Sequence, residues 1–135
     1  MIVSIIWSLL LSWVIGLERE RQDKPAGLRT IMLVCFGATL AMLFAREIHS
    51  GSSIARIPSH FLAAIGFVGS GSIIVFNKRV EGITTAALLL PMTVVGFLCG
   101  IERYFLATVS AVCIYAILKL KRVRLVSKNK RRRLR

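Results

Sequence analysis

The sequence predicts an all-α integral membrane bundle of about five transmembrane helices. Apolar residues make up 56% of the 135 residues, yet the chain also carries 19 Lys and Arg against 6 Asp and Glu. A bilayer accommodates both facts, because uncharged stretches lie in hydrocarbon while basic residues collect in loops and tails. In addition, five uncharged runs alternate with short charged connections, a pattern that is typical of antiparallel neighbouring helices.

The five runs cover residues 2–17, 28–45, 57–76, 83–100 and 104–118, with Arg29 assigned to the interface. None carries a charge in its middle, and at about 1.5 Å per residue they extend roughly 22 to 30 Å. That length is close to the thickness of the hydrocarbon core. The first run lacks a basic leader and a small-residue cleavage site, so it is predicted to be a retained helix.

The distribution of Lys and Arg predicts the orientation. The first connection, the third connection and the tail carry four, two and ten of them, whereas the second and fourth connections carry two and one. The positive-inside rule therefore places the N-terminus outside and the C-terminus in the cytoplasm. We predict a transmembrane domain over 1–118 and a basic, disordered cytoplasmic tail over 119–135.

The tail is expected to bind anionic lipids, because dense juxtamembrane clusters of Lys and Arg attract their headgroups. Nucleic-acid binding competes with this interpretation. It is disfavoured because the tail is tethered at a membrane and carries no aromatic residue for base stacking.

Small residues at helical spacing predict where helices pack, since close backbone approach drives association in lipid. The predicted packing positions are Ser4, Ser8, Ser12 and Gly16 on the first helix, Ala63 on the third, and Gly96 and Gly100 on the fourth. The glycine-rich stretch 69–72 has two interpretations. It either packs like the others or forms a broken helix whose carbonyls bind an ion or a partner.

The charged segment 18–24 follows the first helix. One interpretation is a solvated segment that sets the topology, and the other is a docking surface. Glu20 could pair with Lys24 if the helix continues. Glu18 and Glu20 are the predicted partners of Arg29 or Arg79.

No catalytic constellation and no cofactor-binding glycine signature is found in the sequence, so we expect a non-enzymatic protein without a cofactor. Cys35, Cys99 and Cys113 lie inside apolar runs without metal-ligand spacing, and they are predicted to be packing residues. The runs also lack carboxylates, which a path for Mg²⁺ would normally contain.

Four sequence blocks occur in a fixed order: GLERE at 16–20, KPAGLRT at 24–30, GFVGSG at 66–71 and VEGITTAA at 80–87. In these blocks the sequence resembles the MgtC/SapB family of bacterial membrane proteins. The residues that carry the resemblance are the candidate interaction residues: Glu18, Arg19, Glu20, Lys24, Pro25, Gly27, Arg29, Thr30, Gly66, Gly69, Gly71, Gly82, Thr84 and Thr85. Two positions depart from the pattern of the family: Leu90 stands where an aromatic residue is usual, and Ile31 stands where a histidine is frequent.

The resemblance implies a multi-pass protein of the bacterial plasma membrane, linked to magnesium homeostasis and to virulence. It implies a regulatory protein that modulates other membrane proteins, such as the proton-translocating ATP synthase, and that could form homo-oligomers. The alternatives are an oligomeric magnesium transporter or channel subunit, and a scaffold that acts through the basic tail. Longer members carry a soluble C-terminal domain, so a short member with only the transmembrane domain is expected.

Overall fold

The computed structural model of the chain describes residues 1–48, 56–76 and 79–132, and for 76, 79 and 121–132 it describes the backbone alone. These residues contain five helices, as predicted. They are α1 (Ile2–Glu20), α2 (Leu28–Ile48), α3 (Arg56–Gly71), α4 (Ile83–Gly100) and α5 (Tyr104–Arg132). A short hairpin of β1 (Ile74–Phe76) and β2 (Arg79–Glu81) joins α3 to α4.

Three of the helices, α1, α2 and α4, are long and apolar enough to cross a membrane. The prediction gave this property to all five. Within the described residues, α3 has only 16 residues and the apolar part of α5, Tyr104–Leu120, is also shorter. Both would need to lie where the bilayer thins, or to extend through flanking residues. The orientation stays a prediction.

The distribution of polar and apolar side chains is that of a protein surrounded by hydrocarbon. Ser4, Ser8 and Ser12 have no exposed surface, whereas Phe67 is 83% exposed and Phe105 is 84% exposed. In water such large exposed apolar side chains would be unfavourable, but in lipid they are solvated. Helix contact then depends on small residues, which is where the serines lie.

Helix α2 packs closely on both α1 and α4. A Cβ atom at Gly16 would lie 2.9 Å from Cδ1 of Leu28, and one at Gly96 would collide with the carbonyl oxygen of Cys35. At Gly100 it would lie 2.6 Å from Cβ of Met42. These three glycines therefore lie at helix crossings whose backbone separation leaves no room for a side chain.

Four buried hydroxyl groups donate to backbone carbonyls, namely those of Ser8, Ser12, Thr39 and Thr93. Those of Ser4 and Thr85 bind the side chains of Tyr104 and Arg19. Ser12 donates to the carbonyl of Ser8 at 2.7 Å, and Thr93 donates to that of Leu89 at 2.9 Å. Thr39 lies within hydrogen-bond distance of two carbonyls, that of Cys35 at 2.9 Å and that of Gly96 at 3.0 Å. Each buried hydroxyl is thus satisfied without water, and Thr39 also links α2 to α4.

The third predicted span was too long. The uncharged run continues to Phe76, but α3 ends at Gly71 and the chain enters the hairpin, in which Ile74 pairs with Glu81. The glycine-rich stretch is therefore the C-terminal end of a helix. Gly82 follows the hairpin at φ 89°, where a Cβ atom would collide with the backbone of Ser72; only glycine adopts this conformation readily.

The predicted packing face of α3 was also wrong. Ala63 is exposed, and a Cβ atom at Gly66 would meet nothing within 4 Å. Helix α3 instead packs through Ile65 and Gly69, and the backbone of Gly69 approaches that of Ala86 on α4. Residues 63 and 65 lie on nearly opposite sides of a helix, because each residue turns it by about 100°.

The basic tail was predicted to be disordered, but the backbone continues α5 as a helix to Arg132. Residues 119–132 contain no Gly or Pro, and Lys, Arg and Leu all favour helix. The division at residue 118 stays a prediction. Of the cysteines, Cys35 and Cys99 are buried as expected, whereas Cys113 is exposed on α5.

Candidate functional site

A cavity of about 560 Å³ opens where the end of α1, the start of α4 and the middle of α5 meet. It brings together residues of three of the four sequence blocks, the first, the second and the fourth. The lining residues are Arg19, Gln22, Asp23, Lys24, Pro25, Val80, Glu81, Gly82, Ile83, Thr84, Thr85, Ile117 and Leu118. This volume lies within the range of small-molecule sites.

The end of α1 is shaped by a left-handed residue. Asp23 has φ 49°, its N–H donates to the carbonyl of Glu20, and the N–H of Lys24 donates to that of Arg19. This pair of bonds is a Schellman motif, in which Asp23 takes the place usually held by glycine. The chain therefore turns sharply after α1, and the turn places Lys24 and Pro25 on the cavity wall.

Arg19 is the most unusual residue of the site. Its side chain is only 2% exposed, and its Nη2 donates to Oγ1 of Thr85 at 2.8 Å. Its Nε has no hydrogen-bond partner among the described residues. A buried guanidinium normally has a carboxylate partner, because an uncompensated charge in a poorly hydrated site is strongly unfavourable.

The N-terminus of α4 forms the opposite wall. Gly82 is the N-cap residue, and no side chain caps the helix. The first N–H groups of any α-helix lack intrahelical acceptors, and the helix dipole adds positive potential there. Thr85 is 1% exposed and Thr84 is exposed, so of the two threonines Thr84 is the one that presents its side chain to a molecule entering the cavity.

The remaining lining groups are mixed. Lys24 adds a second positive charge, whereas Asp23 and Glu81 add negative ones, and all three are exposed. Neither carboxylate forms an ion pair with Arg19 within the described part of the chain. Apolar side chains, including Pro25, Val80 and Ile117, complete the wall.

Among the described residues, the carboxylates of the first block accept hydrogen bonds from groups that were not predicted as their partners. Oε2 of Glu20 accepts the N–H of Leu28 at 2.6 Å, and Oε1 of Glu18 accepts Nε2 of Gln22 at 2.8 Å. Neither carboxylate pairs with Arg29, and the side chain of Arg79 lies outside the described residues. Glu20 also does not pair with Lys24, because α1 ends before Lys24 is reached.

Glu20 in fact replaces a missing N-cap side chain on α2. Gly27 precedes this helix and has no side chain to accept an N–H, so the carboxylate of Glu20 does so from eight residues earlier. A Cβ atom at Gly27 would lie 2.7 Å from Oε2 of Glu20. The first two sequence blocks are therefore in direct contact, since the carboxylate of the first accepts the first N–H of α2 in the second.

The candidate residues thus divide into three groups. Arg19, Lys24, Pro25, Gly82, Thr84 and Thr85 line the cavity. Five others lie around the α1–α2 turn and do not line the cavity: Glu18, Glu20, Gly27, Arg29 and Thr30. On α3, Gly69 packs on α4, while Gly66 and Gly71 face open space.

Several cavity residues were not predicted, among them Asp23, Val80 and Ile117. Asp23 carried the signal of a short polar residue at a helix end. Ile117 carried none, because an apolar residue in a membrane helix gives no sign of which neighbour it faces. Within the described residues, no cluster of three or more His, Cys, Asp or Glu side chains could hold a metal ion.

The apolar exterior, the hydroxyl-rich helix contacts and the polar cavity at one end of the bundle define a helical membrane protein. The particular family follows from comparison with known proteins. A model of the MgtC family matches residues 5–125, and the chain belongs to this family.

Two relatives are proteins named MgtC. The one from Brucella abortus (strain 2308) is 37% identical over 115 residues, which cover 83% of this chain and 48% of the relative. The one from Salmonella typhimurium (strain LT2) is 34% identical over 121 residues, which cover 87% of this chain and 52% of the relative. The chain thus spans about half the length of these relatives.

A third relative is YhiD of Escherichia coli (strain K12), named provisionally as a magnesium transporter. It is 32% identical over 139 aligned positions, which cover 95% of this chain and 65% of YhiD. No solved structure matches the chain. The family match and the apolar helices make the chain a membrane protein of the MgtC family.

Proposed function

We propose that the chain is a non-enzymatic regulatory protein of the bacterial inner membrane, crossing it several times and modulating other membrane proteins. The proton-translocating ATP synthase is the first candidate partner, as the family resemblance implies. The proposed link to magnesium is homeostasis under stress or within a host, not transport by this chain itself.

The observation that carries the proposal is the position of the buried charges. Among the described residues the buried charged side chains are Glu18 and Arg19, both in the last turn of α1. The other buried polar side chains are Ser and Thr, whose hydroxyl groups bind backbone carbonyls or a neighbouring side chain. A path for Mg²⁺ would need several oxygen ligands, usually including carboxylates, along the helix interiors.

Transport is tested with the purified chain in liposomes that contain a magnesium-sensitive dye. We expect the influx of Mg²⁺ to equal that of empty liposomes at every concentration. A saturable influx that Gly69→Leu abolishes would contradict the proposal and favour the transporter or channel alternative, since Gly69 lies at the contact of α3 with α4.

Regulation is tested in inverted membrane vesicles that contain the ATP synthase. We expect vesicles with the chain to pump protons more slowly on ATP than vesicles without it, and the synthase to co-purify with the chain. The variant Arg29→Glu reverses an exposed charge near the α1–α2 turn and should weaken this effect. Arg103→Glu reverses an exposed charge in the α4–α5 connection and is the matched control.

Equal pumping rates with and without the chain would exclude the ATP synthase as the partner. Reciprocal pull-down from native membranes would then identify another. A chain that neither binds any membrane protein nor changes any transport rate would contradict the regulatory proposal as a whole.

A further inference from the structure

The charge of Arg19 is the feature that the packing of the helices does not explain. Arg46 provides the contrast: its side chain is 40% exposed, yet Nη1 contacts both the carboxylate of Glu102 at 3.1 Å and the carbonyl of Gly100 at 2.8 Å. Arg19 is almost fully buried, and its one described acceptor is the neutral hydroxyl of Thr85. The guanidinium of Arg19 is thus less hydrated than that of Arg46, yet its positive charge has the weaker hydrogen-bond acceptor.

The cavity places a second source of positive potential beside this guanidinium. Through Thr85, Arg19 is bonded to the first turn of α4, where no side chain caps the helix. The N–H groups of Ile83, Thr84 and Thr85 belong to that turn, and all three residues line the cavity. A helix N-terminus and an arginine side by side form the arrangement that binds phosphate groups in many proteins.

The neighbouring residues restrict what else the ligand carries. Lys24 strengthens the positive potential, whereas Asp23 and Glu81 would repel an anion that approached them closely. These carboxylates therefore favour a ligand with a single phosphate group over a large polyanion. The apolar residues Pro25, Val80 and Ile117 supply a wall for an uncharged or apolar remainder.

We propose that the cavity between α1 and α4 binds a phosphate group, with Arg19 and the N-terminus of α4 as its ligands. The phosphate comes either from the headgroup of a phospholipid or from a small soluble phosphate compound. This site is independent of the proposed function, because it requires neither a protein partner nor magnesium.

Two ligands distinguish the sources: inorganic phosphate, and the short-chain lipid dihexanoyl phosphatidylglycerol. Each is titrated into the purified full-length chain in a neutral detergent, and binding is measured by isothermal titration calorimetry. Saturable binding of either ligand supports the proposal. Binding of phosphate indicates a soluble compound, and binding of the lipid alone indicates a headgroup whose apolar part is required.

Two variants locate the binding. Arg19→Gln removes the charge and should weaken binding at least about tenfold, the effect of losing one charge-assisted hydrogen bond. Thr84→Asp leaves Arg19 intact and places a negative charge on the first turn of α4, which favours the helix but repels an anion. It should weaken binding to a similar extent.

The matched controls are Thr84→Asn, which is similar in size to aspartate but neutral, and Arg103→Gln, which removes an exposed charge outside the cavity. Arg103→Gln should bind as the parent chain does, and Thr84→Asn should bind much more tightly than Thr84→Asp. If Arg103→Gln weakens binding as much as Arg19→Gln, the ligand follows total charge and the proposal is wrong. It is equally wrong if neither ligand binds, or if Thr84→Asp and Thr84→Asn bind alike.

Discussion

The guanidinium of Arg19, in the last turn of α1, donates a hydrogen bond to the hydroxyl of Thr85, in the first turn of α4, with 2.8 Å between Nη2 and Oγ1. The two residues are 66 positions apart in the chain, and both are almost fully buried. This bond joins the first and fourth sequence blocks. It also explains why the two blocks, which are remote in sequence, form one wall of a cavity.

We expect Thr85→Val to destabilise the protein by about 1 to 3 kcal/mol, because it leaves the buried guanidinium without its described acceptor. Thr85→Ser keeps the hydroxyl and should be nearly neutral. The measurement is the loss of helical circular dichroism during titration with a denaturing detergent. The double variant Arg19→Met, Thr85→Val tests whether the two residues are coupled. If its destabilisation equals the sum of the destabilisations of the two single variants, they are not energetically coupled.

The bond from Leu28 to Glu20 predicts a helix-capping effect. Glu20→Ala should destabilise the start of α2 by about 0.5 to 2 kcal/mol, as loss of an N-cap side chain does. Glu20→Gln keeps an acceptor oxygen and should lose less. Hydrogen exchange at the N–H of Leu28 reports this locally: it should become faster in Glu20→Ala, and unchanged exchange would show that the carboxylate does not cap α2.

The glycines of this chain divide into two classes that alanine substitution can separate. Gly96→Ala should destabilise the protein by about 1 to 3 kcal/mol, because the new methyl group meets Cys35 and Ala38 at the α2–α4 crossing. Gly66→Ala meets nothing within 4 Å and restricts the unfolded chain, so it should be neutral or stabilising by up to about 1 kcal/mol.

Thermal unfolding in detergent measures both glycine variants under the same conditions. A strong destabilisation by Gly66→Ala in a homo-oligomer, but not in the monomer, would show that the exposed face of α3 is an oligomer contact. Equal stability of both variants would contradict the close α2–α4 crossing.

The positive-inside rule predicts that a reporter fused after Arg135 is read as cytoplasmic. Reversing the bias of Lys and Arg between the two sides of the membrane should weaken this orientation. Arg19 is unsuitable as a substitution site because it is buried. Arg21, which is exposed, is the better substitution site. A periplasmic signal from the parent fusion would contradict the predicted orientation of the C-terminus.

The helices and the membrane were predictable because both follow from local composition. Uncharged runs of about 18 residues fix where helices form, so the starts of α4 and α5 agree with the predicted runs. The end of α3 was missed, because an uncharged run does not distinguish a helix from the hairpin strand that follows it. The charge density of the tail predicts disorder, whereas Lys, Arg and Leu favour helix, and the backbone of 119–132 is helical.

The candidate site was predictable only as a set of residues. The sequence singled out Arg19 and Thr85, but it left open whether the segment around Arg19 is a solvated, topology-setting stretch or a docking surface. Burial of Arg19 depends on α4 and α5 closing around the end of α1. Likewise, the sequence gives no sign that Glu20 accepts the N–H of Leu28 instead of pairing with a basic side chain.

The sequence by itself determined the class of protein, the number of helices and the small residues available for helix contacts, because hydrophobicity and residue size act locally along the chain. Only the tertiary structure decided which small residues make contact and where a charge is left buried. These depend on the rotation of each helix about its axis, and an apolar helix surrounded by lipid carries little record of that rotation in its sequence.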